Sequence, residues 1–376
     1  MIPDIAVIFL AFGVVLGFLA AYPYLYYLYH LHTFVPEYFD TTPEFYPHIS
    51  VVVNAYKEGE LVKTRVHDIW RSAYPPDNIS VYVVNDGADP ATSRAAHAVL
   101  AEHCTEIFLR EPSNRLGKTA CQNAVLSEIQ DEIVVFTDAD ITTRPDALKK
   151  LVARLSDPEV GAVCADLIPV GSNVSVTGSE GAYRSIYGKM CEYDSFLDST
   201  YNFNGPLIAF KKSAVSHIPA SSGADDANLA LTCISHGYRA VYASEAVAYE
   251  LQPTSFRSQY RQKIRRADGL IHSTRLFQHT SNVPRAKFWN VVFPMRKWML
   301  LHSPILFLFA AVLFGAGMYW WSFLFGTVYL AVGSFICAVS LLRPNHLFSS
   351  FVLNQFYLVV GLLKKQNVLL WERVEK

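Results

Sequence analysis

Two long stretches of this chain contain no Asp, Glu, Lys or Arg, and they limit its fold more than any other feature. The first covers residues 5–36, and the second runs from Trp298 to Leu342. A helix of about 20 apolar residues crosses the roughly 30 Å hydrocarbon core of a bilayer. We therefore expect a transmembrane anchor over residues 1–32 and transmembrane helices over residues 298–363, as in a multi-pass membrane protein.

The N-terminal apolar run predicts one span, whereas the number of spans in the C-terminal apolar region is ambiguous. The first run follows MIPD and is longer than the core of a cleaved signal peptide, which favours an uncleaved anchor. Residues 298–342 fit two spans with a turn near residues 315–321. The run Leu347–Leu363 has two interpretations, a further span or a re-entrant or interfacial helix. The lysines of the charged tail 364–376 are typical of a cytoplasmic end, whereas a fourth span would place that tail outside.

The six cysteines are scattered, with no C-x-x-C pair and no spacing typical of a zinc site or a disulfide framework. We expect free thiols that are buried as small hydrophobic residues in a reducing compartment. This interpretation places the hydrophilic part of the chain in the cytoplasm, at the cell membrane. The cysteines are Cys104, Cys121, Cys164, Cys191, Cys233 and Cys337.

The hydrophilic middle of the chain, residues 47–250, alternates short β-branched segments with helical ones. Strict alternation of strand and helix predicts βαβ units, a mostly parallel sheet and an α/β fold class. Ligands of such sheets lie beyond the carboxyl ends of the strands. We predict strands at 48–56, 79–87, 105–111 and 131–140, and helices at 59–73, 91–103 and 117–129.

Acidic and polar residues follow these predicted strands, namely residues 54–58, Asp86, Asp138 and Asp140. Asp138 and Asp140 project from the same side of an extended chain, so both can face one Mg²⁺ or Mn²⁺ ion. A helix N-cap and a solvated turn explain the pair equally well. The chain has neither G-x-G-x-x-G nor G-x-x-x-x-G-K-[ST], which argues against a dinucleotide oxidoreductase and a P-loop ATPase.

Seven segments occur in a fixed order: SVVVNAYKE, VVNDGADPAT, RLGKTACQNAV, VVFTDAD, FNGPLIAFKKSAV, GADDANLAL and QKIRR. Together they resemble the family 2 inverting glycosyltransferases, over about residues 47–300. The resemblance is to the membrane-embedded branch that includes the hyaluronan, chitin and cellulose synthases. It implies the GT-A fold, a Rossmann-like domain that binds a nucleotide sugar, expected here to be a UDP sugar, together with Mn²⁺ or Mg²⁺.

The resemblance assigns several residues to the nucleotide-sugar donor. Asp86, in NDGAD, is similar to the aspartate that hydrogen-bonds the base of the nucleotide. Asn54, Tyr56 and Glu58 are expected to form the other wall of that pocket. Lys118, in RLGK, is similar to a basic residue near the donor.

The resemblance also implies the residues that carry the chemistry. Asp138 corresponds to the first aspartate of the D-x-D pair, toward the ribose and the metal, and Asp140 to the second, a metal ligand. Asp226 corresponds to the catalytic base that takes the proton of the acceptor hydroxyl. Gln262 and Arg265 correspond to the glutamine and arginine of the Q-x-x-R-W motif, which closes over the diphosphate.

One motif position departs from the family pattern, because Arg266 replaces the tryptophan of Q-x-x-R-W. In processive synthases that tryptophan helps to form the floor for the growing polymer, so its absence puts processivity in doubt. Arg266 either adds charge at the diphosphate or a phosphorylated acceptor, or faces lipid headgroups. The resemblance places Phe203, Asn204 and Gly205 where the family lines its acceptor site.

The acidic pair before NLALTCISHGY also has a structural interpretation. Asp225 and Asp226 precede a predicted helix that ends at Gly237, so they are candidates for its N-cap. The two interpretations are compatible if Asp225 caps the helix and Asp226 is the base. A single displacement assisted by such a base inverts the anomeric centre.

The segment after the α/β part is strongly basic. Residues 251–300 contain ten Lys or Arg and one acidic residue, although the whole chain has a net charge of -1. We predict amphipathic interface helices over residues 251–297, in contact with membrane lipids. No base-stacking module accompanies the basic segment, which argues against nucleic-acid binding. The residues expected on the apolar face are Phe256, Tyr260, Ile264, Ala267 and Ile271.

The sequence predicts a membrane-integrated inverting glycosyltransferase and leaves two acceptors open. A polysaccharide synthase extends a glycan through a channel, for which three or four helices are few unless the protein forms a homo-oligomer. A lipid glycosyltransferase acting on a polyprenyl phosphate or a glycolipid needs only a site at the interface. A non-catalytic membrane scaffold that kept the fold is the alternative from outside the enzymes.

Overall fold

A computed structural model describes residues 2–36, 44–102, 107–171, 174–219, 224–253, 255–280, 284–342 and 347–363. Its strands are β1 (Ile49–Ala55), β2 (Ile79–Asn85), β3 (Ile107–Arg110), β4 (Ile133–Asp138), β5 (Ile141–Thr143), β6 (Val160–Val170), β7 (Leu207–Lys211) and β8 (Arg239–Leu251). They form one sheet in the order β3-β2-β1-β4-β7-β6-β8-β5. Cys104 and the charged tail 364–376 lie outside the described residues.

The helices lie before, around and after this sheet. They are α1 (Ile2–Thr33), α2 (Leu61–Trp70), α3 (Pro90–Glu102), α4 (Lys118–Glu128), α5 (Ala147–Ala153), α6 (Val174–Leu197), α7 (Asp225–Ser235), α8 (Phe256–Phe277), α9 (Phe293–Lys297), α10 (Ser303–Trp321), α11 (Phe323–Leu342) and α12 (Leu347–Leu363). The predicted strands and helices between residues 48 and 140 are confirmed within a few residues at each end.

The sheet is parallel in its first half and mixed in its second. Strands β3, β2, β1 and β4 pair in parallel, as the alternation of strand and helix predicts. Strand β7 is antiparallel to both β4 and β6, and β5 is antiparallel to β8. The expectation of a mostly parallel sheet is therefore wrong for the second half. Strands and helices still alternate along the chain after β5, but β7 is inserted antiparallel between β4 and β6. Alternation along the chain does not indicate such an insertion.

Two hydrophobic cores cover the two faces of the sheet. Side chains alternate between the faces along each strand, so Val51 and Val53 of β1 pack against α2, α3 and α5. Val52 points the other way, into a core that also contains α4, α7 and α8. That second core continues into Phe293 of α9 and Leu358 of α12. The sheet is therefore packed directly onto the helices at the C-terminal end of the chain.

In the part of the chain that the structure describes, three helical stretches are long and apolar enough to cross a membrane, at Asp4–Thr33, Phe288–Trp321 and Phe323–Leu342. The predicted turn between two spans falls at Ser322, whose extended backbone separates α10 from α11. The stretch Phe288–Trp321 has 34 residues and contains α9 and α10. One π-helical turn precedes α9, and a second connects α9 to α10. The whole stretch is longer than one span requires.

Helix α12 has 17 residues and packs against α8. Its residues Leu353 and Tyr357 contact Ile264 of α8 in a small buried core. Ala267 and Ile271, on the same face of α8, are also buried. The prediction that this face lies against membrane lipid is therefore wrong for Ile264, Ala267 and Ile271, because α12 and the sheet domain cover them. The side chain of Phe256 lies outside the described residues.

Candidate active site

A cavity of 330 Å³ opens at the carboxyl ends of β1, β2 and β4. Parallel strands bring their polar ends to one edge of a sheet, and the chain returns there through α7 and α8. All fourteen residues predicted for the site line this cavity. They are Asn54, Tyr56, Glu58, Asp86, Lys118, Asp138, Asp140, Phe203, Asn204, Gly205, Asp226, Gln262, Arg265 and Arg266.

At one end of the cavity, Asp86 holds the loop that precedes α4. Its Oδ1 accepts the backbone N–H of Leu116 at 2.7 Å, and its Oδ2 accepts that of Gly117 at 2.9 Å. Gly117 has φ +90°, a conformation that favours glycine. The guanidinium of Arg115 stacks on the ring of Tyr56, 3.8 Å from its centroid. Arg115 belongs to the RLGK segment, but sequence reasoning missed it, because nothing in that segment indicates that its side chain stacks on Tyr56.

Lys118 connects the aspartate pair of β4 with the start of α7. Its Nζ lies 2.8 Å from Oδ1 of Asp138 and 3.1 Å from Oδ2 of Asp225. Helix α7 begins at Asp225, and Ala224 occupies the N-cap position with no side-chain cap. The prediction that Asp225 caps this helix is therefore wrong, because its carboxylate is used in the ion pair with Lys118. Gly237 follows the helix with φ +92°, as predicted.

Asp138 and Asp140 present oxygen ligands of the kind that Mn²⁺ and Mg²⁺ prefer. Burial raises the pKa of Asp138, and the ammonium of Lys118 opposes that rise. The ammonium of Lys118 thus balances the negative charge of the Asp138 carboxylate. The two side chains fit a divalent cation that also binds diphosphate oxygens, since such ions commonly use one or two carboxylates together with substrate phosphates.

Asp226 lies at the first turn of α7, next to the turn that contains Gly205. Its Oδ1 accepts the backbone N–H of Ala227 at 2.8 Å. Burial, and then the neighbouring charge of Asp225, raise the pKa of Asp226 to about 7. A Cβ atom at Gly205 would lie 3.1 Å from Oδ2 of Asp226, tighter than most such contacts. A carboxyl with this pKa can accept a proton near neutral pH.

Helix α8 brings Gln262 and Arg265 to the cavity. Gln262 is buried. Burial, and then the charge of Arg266, lower the pKa of Arg265 to about 10, so Arg265 is a cation at neutral pH. The pairing of α8 with α12 fixes the helix and also adds Asn354 and Leu358 to the cavity wall. Sequence reasoning missed these two residues, because nothing in an apolar run indicates which side chains turn toward a site.

Arg266 faces the cavity rather than lipid headgroups. Its Nη2 donates to Oε1 and Oε2 of Glu250 at 3.0 and 3.2 Å. Arg184 reaches the same carboxylate and also donates to Oδ1 of Asn204 at 3.0 Å. Sequence reasoning missed Arg184 and Glu250, because neither belongs to one of the seven segments.

A family model described as "Glycosyltransferase like family 2" matches residues 47–269. Two rhizobial proteins named N-acetylglucosaminyltransferase are similar to the chain. The protein of Rhizobium sp. strain N33 is 24% identical over 62% of this chain and 55% of its own length. That of Bradyrhizobium diazoefficiens is 24% identical over 80% of this chain and 64% of its own length. The chain thus spans little more than half to two thirds of these relatives.

Two further proteins add to this comparison. Cellulose synthase 2 of Novacetimonas hansenii is 26% identical over 63% of this chain and 15% of its own length. The solved structure of a mannosyltransferase from Pyrobaculum calidifontis, in complex with GDP-Man and Mn²⁺, has a TM-score of 0.78 and 26% identity. The alignment with that structure covers 96% of this chain and 98% of the other. This similarity confirms the predicted GT-A fold and supports a divalent metal cofactor and a nucleotide-sugar donor.

Proposed function

Because the chain belongs to glycosyltransferase family 2 and is a glycosyltransferase, we propose that it is a membrane-integrated inverting enzyme. It transfers a sugar from a nucleoside diphosphate donor to a hydroxyl group of a glycan or glycolipid. The observation that carries the proposal is the position of Asp226. This carboxyl, with a pKa near neutrality, shares one cavity with the aspartate pair and with Arg265.

The donor lies with its nucleotide toward Asp86 and Tyr56 and with its diphosphate toward Gln262 and Arg265. Asp138 and Asp140 would hold the divalent cation, which supplies positive charge to the diphosphate when it is bound. Arg265 supplies a second positive charge, from a side chain that burial has already separated from most water. Groups that are fixed before the reaction stabilise developing charge better than groups that must reorganise.

In the chemical step, the acceptor oxygen forms a bond to the anomeric carbon while the bond from that carbon to the diphosphate oxygen breaks. The hydroxyl proton moves to the carboxylate of Asp226, and the leaving diphosphate takes the electron pair. Attack from the side opposite the leaving group inverts the anomeric centre. A base in this position is required for a hydroxyl acceptor, whereas an acceptor phosphate is already ionised.

For the donor, GDP-mannose is the first candidate to test. The similarity to the mannosyltransferase solved with GDP-Man extends over nearly the whole length of both chains. A UDP sugar is the alternative expected from the synthase-like motifs. The N-acetylglucosaminyltransferase names of the rhizobial relatives belong to chains that this protein covers only in part.

The acceptor reaches the cavity from the side of the membrane helices. Three leucines line the cavity on that side: Leu270 of α8, Leu358 of α12, and Leu300 in the π-helical turn between α9 and α10. A growing polysaccharide is the acceptor expected from the synthase-like motifs. The apolar wall supports the alternative, an acceptor sugar carried on a lipid. We propose that the protein is multi-pass, with its sheet domain in the cytoplasm, supported by three stretches of spanning length and apolarity in the described residues.

The proposal is tested by donor profiling of the purified protein in lipid nanodiscs. GDP-mannose, UDP-glucose and UDP-N-acetylglucosamine are each incubated with Mn²⁺, with Mg²⁺ or with EDTA, and the released nucleotide is measured. We expect hydrolysis of one donor that depends on the metal and falls by about 100-fold or more in Asp140→Ala. Asp157→Asn, an aspartate outside the cavity, is the control. Metal-independent hydrolysis, or full activity in Asp140→Ala, would contradict the metal part of the proposal.

A further inference from the structure

A cluster of three charged side chains, formed by buried Glu250 and partly buried Arg184 and Arg266, lies at the end of the cavity next to Asn204. Glu250 is near the end of β8 and only 3% exposed. Arg266 donates to both of its carboxylate oxygens, and Arg184 donates to Oε2 at 3.2 Å. Gln252 donates to the same oxygen at 3.3 Å. A carboxylate that is buried this deeply requires such partners, and these four contacts supply them.

The cluster joins three parts of the site that are far apart in sequence. Glu250 pairs with Ile141 in the sheet, immediately after the second aspartate of the D-x-D pair. Arg184 donates to Asn204, whose amide donates in turn to the carbonyl of Ala165 at 2.9 Å. Arg266 directly follows Arg265 on α8. The position of one carboxylate therefore affects the acceptor turn and the helix over the diphosphate together.

The charges around the cavity indicate what kind of molecule binds at this end. Six basic and seven acidic side chains line the cavity, so its formal charge is slightly negative before a donor enters. One divalent cation balances the charge on the diphosphate of a nucleotide sugar, so the occupied cavity keeps its slight excess of negative charge, which repels further anions. A second phosphate beside Asp226 would increase this repulsion in a site where charges are poorly screened. A neutral, hydroxyl-rich group does not carry this electrostatic cost.

We propose that Arg184, Glu250 and Arg266 bind the acceptor, that they hold a neutral sugar by hydrogen bonds to its hydroxyl groups, and that Glu250 positions both guanidinium groups. This inference rests on the proposed function and assigns the acceptor end of the same site. Hydrogen bonds to charged groups are stronger than neutral ones, and a planar guanidinium gives them a defined direction. Glu250 also keeps two like charges close together, which would otherwise repel each other.

The chain contains a matched control for this cluster. Glu245 lies on the same strand β8 and forms a bidentate ion pair with Arg154, whose Nε and Nη2 donate to Oε1 and Oε2 at 2.7 and 3.0 Å. Neither residue of that pair lines the cavity. Glu245→Gln therefore removes a similar carboxylate–guanidinium pair without touching the acceptor end. Glu250→Gln and Arg266→Gln are the test variants, and the second removes the more exposed partner, which makes it less damaging to folding.

The experiment measures transfer to two probe acceptors, octyl β-glucoside and decyl phosphate, with the donor identified by profiling. Affinity for the matching nucleoside diphosphate with Mn²⁺ is measured by calorimetry and reports on folding and on the donor end. We expect wild-type protein to glycosylate the glucoside in preference to the phosphate. Glu250→Gln and Arg266→Gln should raise the KM for the glucoside by about tenfold or more, with a much smaller change in nucleotide affinity. Glu245→Gln should match wild type.

Several outcomes would overturn the inference. These are preference for decyl phosphate, no transfer to the glucoside by an enzyme that hydrolyses its donor, and an unchanged KM in both variants. Equal losses of nucleotide affinity and of acceptor KM would show that the cluster is only structural. If wild-type protein neither binds a nucleoside diphosphate nor hydrolyses a nucleotide sugar, the proposed function itself fails, and the two failures are thereby distinguished.

Discussion

Asp226 combines a protected position with a pKa that suits a base. A carboxyl exposed to water titrates near pH 4, but burial and the neighbouring Asp225 raise the pKa of Asp226 to about 7. The backbone N–H of Ala227 and the charges of Lys118 and Arg266 oppose this rise. The residue is therefore basic enough to accept a proton from a hydroxyl group and still ionised in a useful fraction at neutral pH.

The pH dependence of the reaction follows from this value. Asp226 must be ionised to act as a base, so protonation below its pKa removes activity and deprotonation above it restores activity. We expect kcat/KM for transfer to rise with pH through about 7 and then to level off. Arg265 remains a cation over this range, because its pKa is about 10. Initial rates in overlapping buffers measure the profile, and a flat or falling profile would exclude Asp226 as the base.

Gly205 provides a second test at the scale of single residues. Its Cβ position lies 3.1 Å from Oδ2 and 3.5 Å from Cγ of Asp226. We expect Gly205→Ala to displace the carboxylate and to lower kcat by about tenfold or more, because small misplacements of reacting groups are costly. Gly181→Ala is the control, since its nearest neighbour is a Pro169 side-chain atom at 3.9 Å. Equal kcat values in the two variants would show that Asp226 does not depend on this contact.

Among the helices, α1, α6 and α9 meet at a buried ion pair. Arg296 of α9 donates to Oδ2 of Asp194 on α6, with Nε and Nη2 at 2.8 and 2.6 Å. The hydroxyl of Tyr27 on α1 donates to the other oxygen at 2.7 Å. Both charged side chains are almost completely buried. The contact connects the first apolar helix to the sheet domain and to the stretch that continues into α10.

Removal of one partner of this pair leaves an uncompensated buried charge. We therefore expect Arg296→Met to lower the free energy of unfolding by about 3–5 kcal/mol. Arg110→Met is the control, because its pair with Glu128 is exposed and such pairs contribute roughly 0–1 kcal/mol. Denaturant unfolding in detergent, followed by tryptophan fluorescence, measures both variants. Similar destabilisation by the two substitutions would contradict the assigned role of the buried pair.

The spacing of apolar residues predicted the strands and helices of the first half of the sheet. Strands β1 to β4 and their helices were predictable because apolar spacing determines which face is buried. The ion pair of Asp225 with Lys118 was not predictable, because an aspartate that caps a helix and an aspartate that pairs with a distant lysine cannot be distinguished in sequence. Arg184 and Glu250 are 66 positions apart, and only the folded sheet brings them together. The site residues were found through the resemblance of their motifs, whereas the cluster at the acceptor end required the structure.

Across the whole molecule, the charge of the basic segment has more than one partner. The sequence predicted that its helices contact membrane lipids and that Arg265 reaches the diphosphate, and it left open whether Arg266 faces the site or lipid headgroups. In the structure, Arg266 pairs with Glu250, Arg285 with Asp198 and Arg296 with Asp194. Arg265 lines the cavity. Much of the positive charge is thus directed at the protein's own acidic groups and the candidate active site, which fixes the sheet domain against the C-terminal helices.

The cavity lies between the sheet and these helices, so donor and acceptor can arrive from different sides. Strand ends and α4 line the part of the cavity that we propose for the nucleotide, and α6 and α12 line the part that we propose for the acceptor, with α8 contributing residues to both. Activity should therefore depend on an intact junction between the sheet domain and the helices. For that reason the decisive measurement uses the full chain in lipid nanodiscs.

That measurement compares Asp226→Asn with wild type and with Asp157→Asn for transfer to a hydroxyl acceptor and for nucleotide affinity. Asparagine keeps the shape of the side chain but cannot take the proton. We predict that transfer falls by about 10²–10⁴-fold, with nucleotide affinity preserved and Asp157→Asn unaffected. Substantial transfer by Asp226→Asn would contradict the mechanism, because it would mean that the acceptor is already ionised or that another group is the base.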